Sequence, residues 1–119
     1  MISKRPGPCH LLTLTPLTPA ALSPESFTIL ATYRDDSHLI QRLLRCTACG
    51  QRYFYEFREE IDWQGGDDPQ YRTYIPVHSA AEALRISQLP PSGLASLIPR
   101  IQVDWPAGAA APTVRRIGA

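Results

Sequence analysis

The sequence lacks both a long apolar run and an excess of charge of one sign. Its 119 residues carry 12 basic and 11 acidic side chains, so the net charge is +1. No apolar stretch approaches the roughly 18 residues needed to cross a bilayer. Prolines and threonines interrupt the apolar residues near the N-terminus, so we expect no signal peptide. We therefore predict a cytoplasmic protein with no membrane span, whose overall charge demands no polyanionic partner.

Catalytic motifs are also missing from the sequence. The serines lack the sequence context of a nucleophile elbow, and no glycine-rich phosphate-binding loop is present. No carboxylate lies at a spacing from the three histidines that would indicate a catalytic pair. The acidic residues between positions 56 and 68 lack the spacing of a calcium loop, and solvated strand residues are their simpler interpretation. We therefore predict a non-enzymatic protein.

The 12 prolines are unevenly placed, and none occurs between Glu25 and Asp68. Proline cannot donate a ladder hydrogen bond, so this window should hold the best sheet. Its patterns predict three strands, at 27–33, 38–46 and 52–61, although 38–46 also fits a short helix. In the last strand, period-two alternation places three aromatic side chains on one face: Tyr53, Tyr55 and Phe57.

The regions on either side of this window complete an α+β prediction. We expect a further strand at 10–15 and an extended segment at 71–77, which Pro76 would place at an edge or outside the ladder. A helix at 79–87 would begin with a capping box of Ser79 and Glu82, and a second short helix would end before Pro99. The sequence thus predicts a zinc-stapled antiparallel meander followed by one or two short helices. This domain spans 1–104, with a loosely ordered tail at 105–119.

The most informative segment is the Cys-x-x-Cys motif formed by Cys46 and Cys49 and followed by Gly50. Two thiolates at this spacing on a turn can bind one tetrahedral ion, and the glycine permits the left-handed conformation that such a turn often needs. A dithiol redox pair is the alternative. Thioredoxin-like motifs, however, begin a helix in a βαβ unit, whereas strand-like sequence flanks this motif.

The segment RCTACGQRYF around these cysteines resembles the knuckle of zinc-ribbon and rubredoxin-like proteins over about ten residues. The resemblance implies a structural zinc ion, and such proteins carry a second knuckle that has no Cys-x-x-Cys counterpart here. Cys9 and His10, after a Gly-Pro step, could supply the missing half. The predicted metal ligands are therefore Cys9, His10, Cys46 and Cys49, which would form a closed Cys₃His shell around zinc.

The fourth ligand is open to alternatives at this point. His38 ranks last, because eight residues separate it from Cys46 by about 26 Å in a strand or about 12 Å in a helix, and neither distance permits a shared ion. His78 is unconstrained by this argument and ranks second to His10, whose side chain could point away from that of Cys9. A carboxylate or a water molecule is a further alternative.

Two surfaces are candidates for binding a partner. We predict that another protein is bound through an aromatic and acidic loop surface, which comprises Trp63, Asp67, Asp68, Tyr71 and Tyr74. The alternative is a nucleic-acid-binding zinc ribbon, whose phosphate contacts would come from Arg42, Arg45, Arg52 and Arg58.

Overall fold

The computed structural model describes residues 9–61, 65–66 and 68–118. These residues form a six-stranded antiparallel sheet in which each strand pairs with the next along the chain. The strands are β1 (Phe27–Asp36), β2 (Leu39–Cys46), β3 (Arg52–Glu59), β4 (Gln70–Val77), β5 (Arg100–Trp105) and β6 (Thr113–Ile117). The α-helix α1 (Ala80–Ser87) lies between β4 and β5, and 3-10 turns occupy His10–Leu12, Pro19–Leu22, Pro24–Ser26 and Pro91–Ser96.

The predicted α+β class is wrong, because the described chain is mostly β with one short α-helix. The sheet continues beyond the proline-free window. β4 is an interior strand despite Pro76, and its ladder with β5 ends at the pair Tyr74–Ile101, before the proline is reached. β6 lies within the stretch 105–119 that was expected to be a loose tail, and it pairs with β5 from Arg100–Ile117 to Asp104–Thr113.

The predictions inside the proline-free window are confirmed. β1, β2 and β3 occupy it, and residues 39–46 form a strand rather than a helix. The helix near 79–87 is also confirmed: the Ser79 hydroxyl accepts a hydrogen bond from the Glu82 amide at 3.1 Å, while the Glu82 carboxylate accepts one from the His78 amide at 2.7 Å. The strand expected at 10–15 is wrong, because residues there form a 3-10 turn outside the sheet.

The two faces of the sheet are covered by different parts of the chain. One face, here called the cysteine face, carries Leu44, Tyr53, Tyr74 and Ile101 and packs against the N-terminal segment, residues 9–26. The opposite face, here called the helix face, carries Leu43, Phe54, Ile75 and Val77 and packs against α1 and the Pro91–Ser96 turn. In the described ranges, no helix is long and apolar enough to cross a membrane.

Candidate metal centre

Three cysteine side chains from distant parts of the chain converge at one end of the cysteine face. The sulfur atoms of Cys9, Cys46 and Cys49 all lie within 4.8 Å of one another. Cys9 and Cys46 are buried, whereas Cys49 is exposed. In a tetrahedral site with zinc–sulfur bonds of about 2.3 Å, neighbouring sulfur atoms are about 3.8 Å apart. The three thiols can therefore hold one metal ion after small side-chain adjustments.

The turn between β2 and β3 positions two of these cysteines. Cys46 ends β2, and its amide donates to the Gln51 carbonyl at 2.8 Å, while its carbonyl accepts from the Gly50 amide at 2.8 Å. These bonds close the turn, on which the Cys49 sulfur lies within 4.8 Å of the Cys46 sulfur. Gly50 has a φ of +84°, in the left-handed region that favours glycine. This confirms the conformation predicted for the residue after the second cysteine.

The third cysteine is brought to the turn by the N-terminal segment. Cys9 immediately precedes the 3-10 turn His10–Leu12, and its carbonyl accepts a hydrogen bond from the Leu12 amide at 2.8 Å. Leu11 is fully buried beside it in the core of the cysteine face. At the other end of the segment, the Thr47 amide donates to the Ser26 carbonyl at 2.9 Å. The N-terminal segment is thus fixed both by its core packing and by the turn between β2 and β3, here called the cysteine turn.

The surroundings of Cys9 favour a neutral thiol in the absence of metal. Burial raises the pKa of Cys9 to about 12, and the neighbouring Tyr53 hydroxyl opposes this shift only in part. Burial, followed by contact with Cys9, also raises the pKa of Tyr53, whose hydroxyl otherwise has no hydrogen-bond partner among the described residues. Reactive cysteines usually have a depressed pKa and partial exposure. Cys9 therefore lacks the environment of a redox-active thiol.

The three histidines lie at different distances from the thiols. The Nδ1 atom of His10 is 4.0 Å from the Cys9 sulfur, but His10 is not part of the group whose ligand atoms are all within 4.8 Å of one another. His78 is exposed and lines a shallow cavity of about 220 Å³ together with Cys9 and Cys49. His38 immediately precedes β2, at the end of the strand opposite Cys46. Its Nδ1 is 3.1 Å from the Glu59 carboxylate.

The residues proposed for protein binding do not form one surface in the described chain. Tyr74 is only 3% exposed and belongs to the core of the cysteine face. Tyr71 and Asp68 are partly exposed. Trp63 and Asp67 lie outside the described residues. Of the five predicted residues, the described structure therefore leaves Tyr71 and Asp68 accessible.

The four arginines proposed for nucleic-acid contacts are divided between the two faces. Arg42 lies on the cysteine face with Leu44 and Tyr55. Arg45 and Arg52 are cross-strand neighbours and, by strand alternation, belong to the helix face. Arg58 lies further along that face and forms an ion pair with Glu60 at 2.6 Å. The four guanidinium groups therefore form no continuous basic surface.

The chain matches no protein-family model, no curated protein and no solved structure. The case for a metal site consequently rests on the mutual proximity of Cys9, Cys46 and Cys49 and on the knuckle-like segment that contains two of them. The Cys-x-x-Cys turn accounts for the closeness of Cys46 and Cys49, whereas the approach of Cys9 is a separate observation that depends on tertiary contacts.

Proposed function

We propose that this chain is a structural-zinc protein whose metal fastens the N-terminal segment to the turn between β2 and β3. The observation that carries the proposal is the convergence of the Cys9, Cys46 and Cys49 sulfur atoms within 4.8 Å. A set of three soft thiolate ligands favours zinc over the hard cations magnesium and calcium, which prefer oxygen ligands. Structural zinc sites close with four protein ligands.

We assign the fourth position to a histidine, with His10 first. In a tetrahedral site, a zinc-bound sulfur and imidazole nitrogen are about 3.6 Å apart, and the His10 Nδ1 is 4.0 Å from the Cys9 sulfur. A rotation of the exposed His10 ring is needed to bring it closer to the other two sulfurs. His78 is the alternative, because it lines the same cavity as Cys9 and Cys49.

A metal at this position would compensate for weak local structure in the N-terminal segment. The regular structure described there consists of 3-10 turns three or four residues long, and such short turns have little stability of their own. Structural zinc contributes binding free energy on the order of 10 kcal/mol in small metal-dependent domains. Zinc would therefore stabilise the packing of the N-terminal segment on the cysteine face.

Metal content tests this proposal directly. Protein purified under reducing conditions is expected to contain about one zinc per chain by elemental analysis, because a complete structural site binds one ion. Cys49→Ser should lose most of this zinc, because it removes one of the three thiol ligands. Ala48→Ser changes an exposed residue of the same turn and is the control that should retain zinc. Less than about half an equivalent in the wild type would contradict the proposal.

We further propose that the chain acts by binding another protein rather than by catalysis. Tyr71 and Asp68 are partly exposed and support a docking surface near the start of β4, and partly exposed tyrosines are common at such interfaces. Affinity capture should show that Asp68→Lys combined with Tyr71→Ala loses a partner that the wild type retains. Asp35→Lys, an exposed charge reversal on β1, should retain it. Equal recovery from all three proteins would remove this surface.

A further inference from the structure

A second candidate site lies on the cysteine face, apart from the thiols. A cavity of about 370 Å³ opens between the sheet and the N-terminal segment. Its floor is formed by five neighbouring strands, β1 to β5, and the Pro19–Leu22 turn and Pro112 border it on two sides. Pockets that bind small molecules typically have volumes of roughly 300–1,000 Å³. This cavity is therefore large enough for a small organic molecule.

The walls of the cavity are mainly apolar and aromatic. Phe27 stacks on Tyr74 with ring centroids 5.5 Å apart, and Tyr74 in turn contacts Tyr55 at 5.1 Å. Leu44 and Val103 complete the apolar lining. These side chains can pack against an aliphatic or aromatic ligand body, since burial of its apolar surface is the main source of affinity.

Two arginines add positive charge to this apolar site. Arg42 on β2 and Arg72 on β4 both line the cavity, and their strands flank β3. None of the described lining residues is acidic. In the part of the chain that the structure describes, the four ion pairs within 4.0 Å involve other side chains, so neither Arg42 nor Arg72 is neutralised by a carboxylate.

The local contacts of the two guanidinium groups leave hydrogen-bonding capacity unused. The Nε atom of Arg42 is buried and has no hydrogen-bond partner among the described residues. The guanidinium of Arg72 lies 5.4 Å from the centroid of the Phe57 ring, a cation–π contact that holds the group in place without satisfying its N–H donors. A buried N–H group without a partner is costly, and a carboxylate bound by the planar guanidinium fork of Arg42 would satisfy it.

We propose that the cavity on the cysteine face binds a small amphiphilic carboxylate, with its acid group on Arg42 and Arg72 and its apolar body along Phe27, Leu44 and Tyr74. None of the three cysteines lines this cavity, so the bound carboxylate would not contact the metal ligands. The position of the cavity also separates Arg42 from Arg45, Arg52 and Arg58, which belong to the helix face.

Calorimetric titration of the full-length protein with octanoate tests the site. Octanoate should bind saturably with one molecule per chain, and octan-1-ol should bind roughly tenfold more weakly, since charge-assisted hydrogen bonds supply that difference. Arg42→Gln and Arg72→Gln should each weaken octanoate binding by about tenfold. Arg45→Gln removes an exposed arginine from the same strand as Arg42 and should leave affinity within about twofold, because surface charges contribute little.

A cavity-filling variant keeps the proposal testable if an arginine substitution disturbs folding. Ile29 lines the cavity and is 54% exposed, so Ile29→Trp should fill its mouth without altering the core. This variant should lose octanoate binding while its circular dichroism spectrum stays unchanged. The proposal is overturned if the wild type fails to bind octanoate, if octanol binds equally well, or if Arg45→Gln weakens binding as much as Arg42→Gln.

Discussion

The sulfur atoms of Cys9 and Cys46 lie within 4.8 Å of each other, although Cys9 precedes the first strand and Cys46 ends the second. A metal ion shared by these two residues would close the loop that contains the N-terminal segment and the β1–β2 hairpin. Closing a long loop removes conformational freedom from the unfolded chain. The expected consequence of zinc binding is therefore greater global stability, rather than a local effect on the turn alone.

Zinc should raise the unfolding temperature of the wild type, and a chelator should lower it again. A ligand that binds only the folded state stabilises it by about 2.7 kcal/mol at a free concentration one hundred times its dissociation constant. Cys49→Ser should lose most of this response, because one of the three thiol ligands is removed. Thermal unfolding with and without zinc measures the effect.

The metal-free forms of the wild type and Cys49→Ser provide the control for this experiment. Cys49 is exposed, so in the metal-free state its replacement by serine should change the free energy of unfolding by no more than about 0.5 kcal/mol. A large loss of stability in the metal-free variant would mean that Cys49 contributes through packing. An unchanged zinc response in Cys49→Ser would exclude it as a ligand.

Substitution of the two candidate histidines should identify the fourth ligand. If His10 binds the metal, cobalt-substituted His10→Ala should show altered visible absorption bands and weaker metal binding, because loss of one ligand changes the coordination geometry. His78→Ala should then retain the spectrum of the wild type. The opposite result would assign the position to His78, and unchanged spectra in both variants would exclude histidine.

Gly50→Ala should destabilise the cysteine turn through the backbone alone. A Cβ atom at Gly50 meets no atom within 4 Å, but the φ of +84° is unfavourable for alanine, with an expected cost of about 1–2 kcal/mol. Gly108 has a φ of +83° and equally open surroundings, so Gly108→Ala is a matched control. Both variants should lose similar stability by denaturant unfolding, and only Gly50→Ala should also weaken zinc binding. Equal zinc affinity in the two variants would contradict a role for the turn conformation.

Local sequence signals predicted the parts of this molecule that depend on neighbouring residues. The proline-free window, the alternation of Tyr53 and Tyr55 and the capping residue Ser79 each correspond to an observed feature. The Cys-x-x-Cys turn belongs to the same class, since its spacing and Gly50 define its geometry. Such features are predictable because their energetics are set within a few residues.

Features that depend on tertiary contacts were not predictable in the same way. Pro76 suggested an edge strand, but the sequence does not reveal that the β4–β5 ladder stops at Tyr74, two positions before the proline. A strand was expected at 10–15, yet residues 10–12 form a 3-10 turn that covers the sheet with Leu11 buried in the core. The joint placement of Arg42 and Arg72 in one cavity likewise depends on strand order and on the N-terminal cover.

Gln41 and Glu56 form a buried hydrogen-bonded pair on the helix face. This pair tests the β2–β3 register, and the test does not depend on the metal. The Gln41 side-chain amide donates to the Glu56 carboxylate at 2.9 Å, and both residues are largely buried, with 9% and 7% exposure. Gln41→Leu should destabilise the protein by about 1–3 kcal/mol, because it leaves a buried carboxylate without this donor. Adding Glu56→Leu should recover much of the loss, since replacing both partners with apolar groups can be nearly neutral. Chemical denaturation of the wild type, both single variants and the double variant measures the coupling, and strictly additive effects would show that the two side chains do not interact.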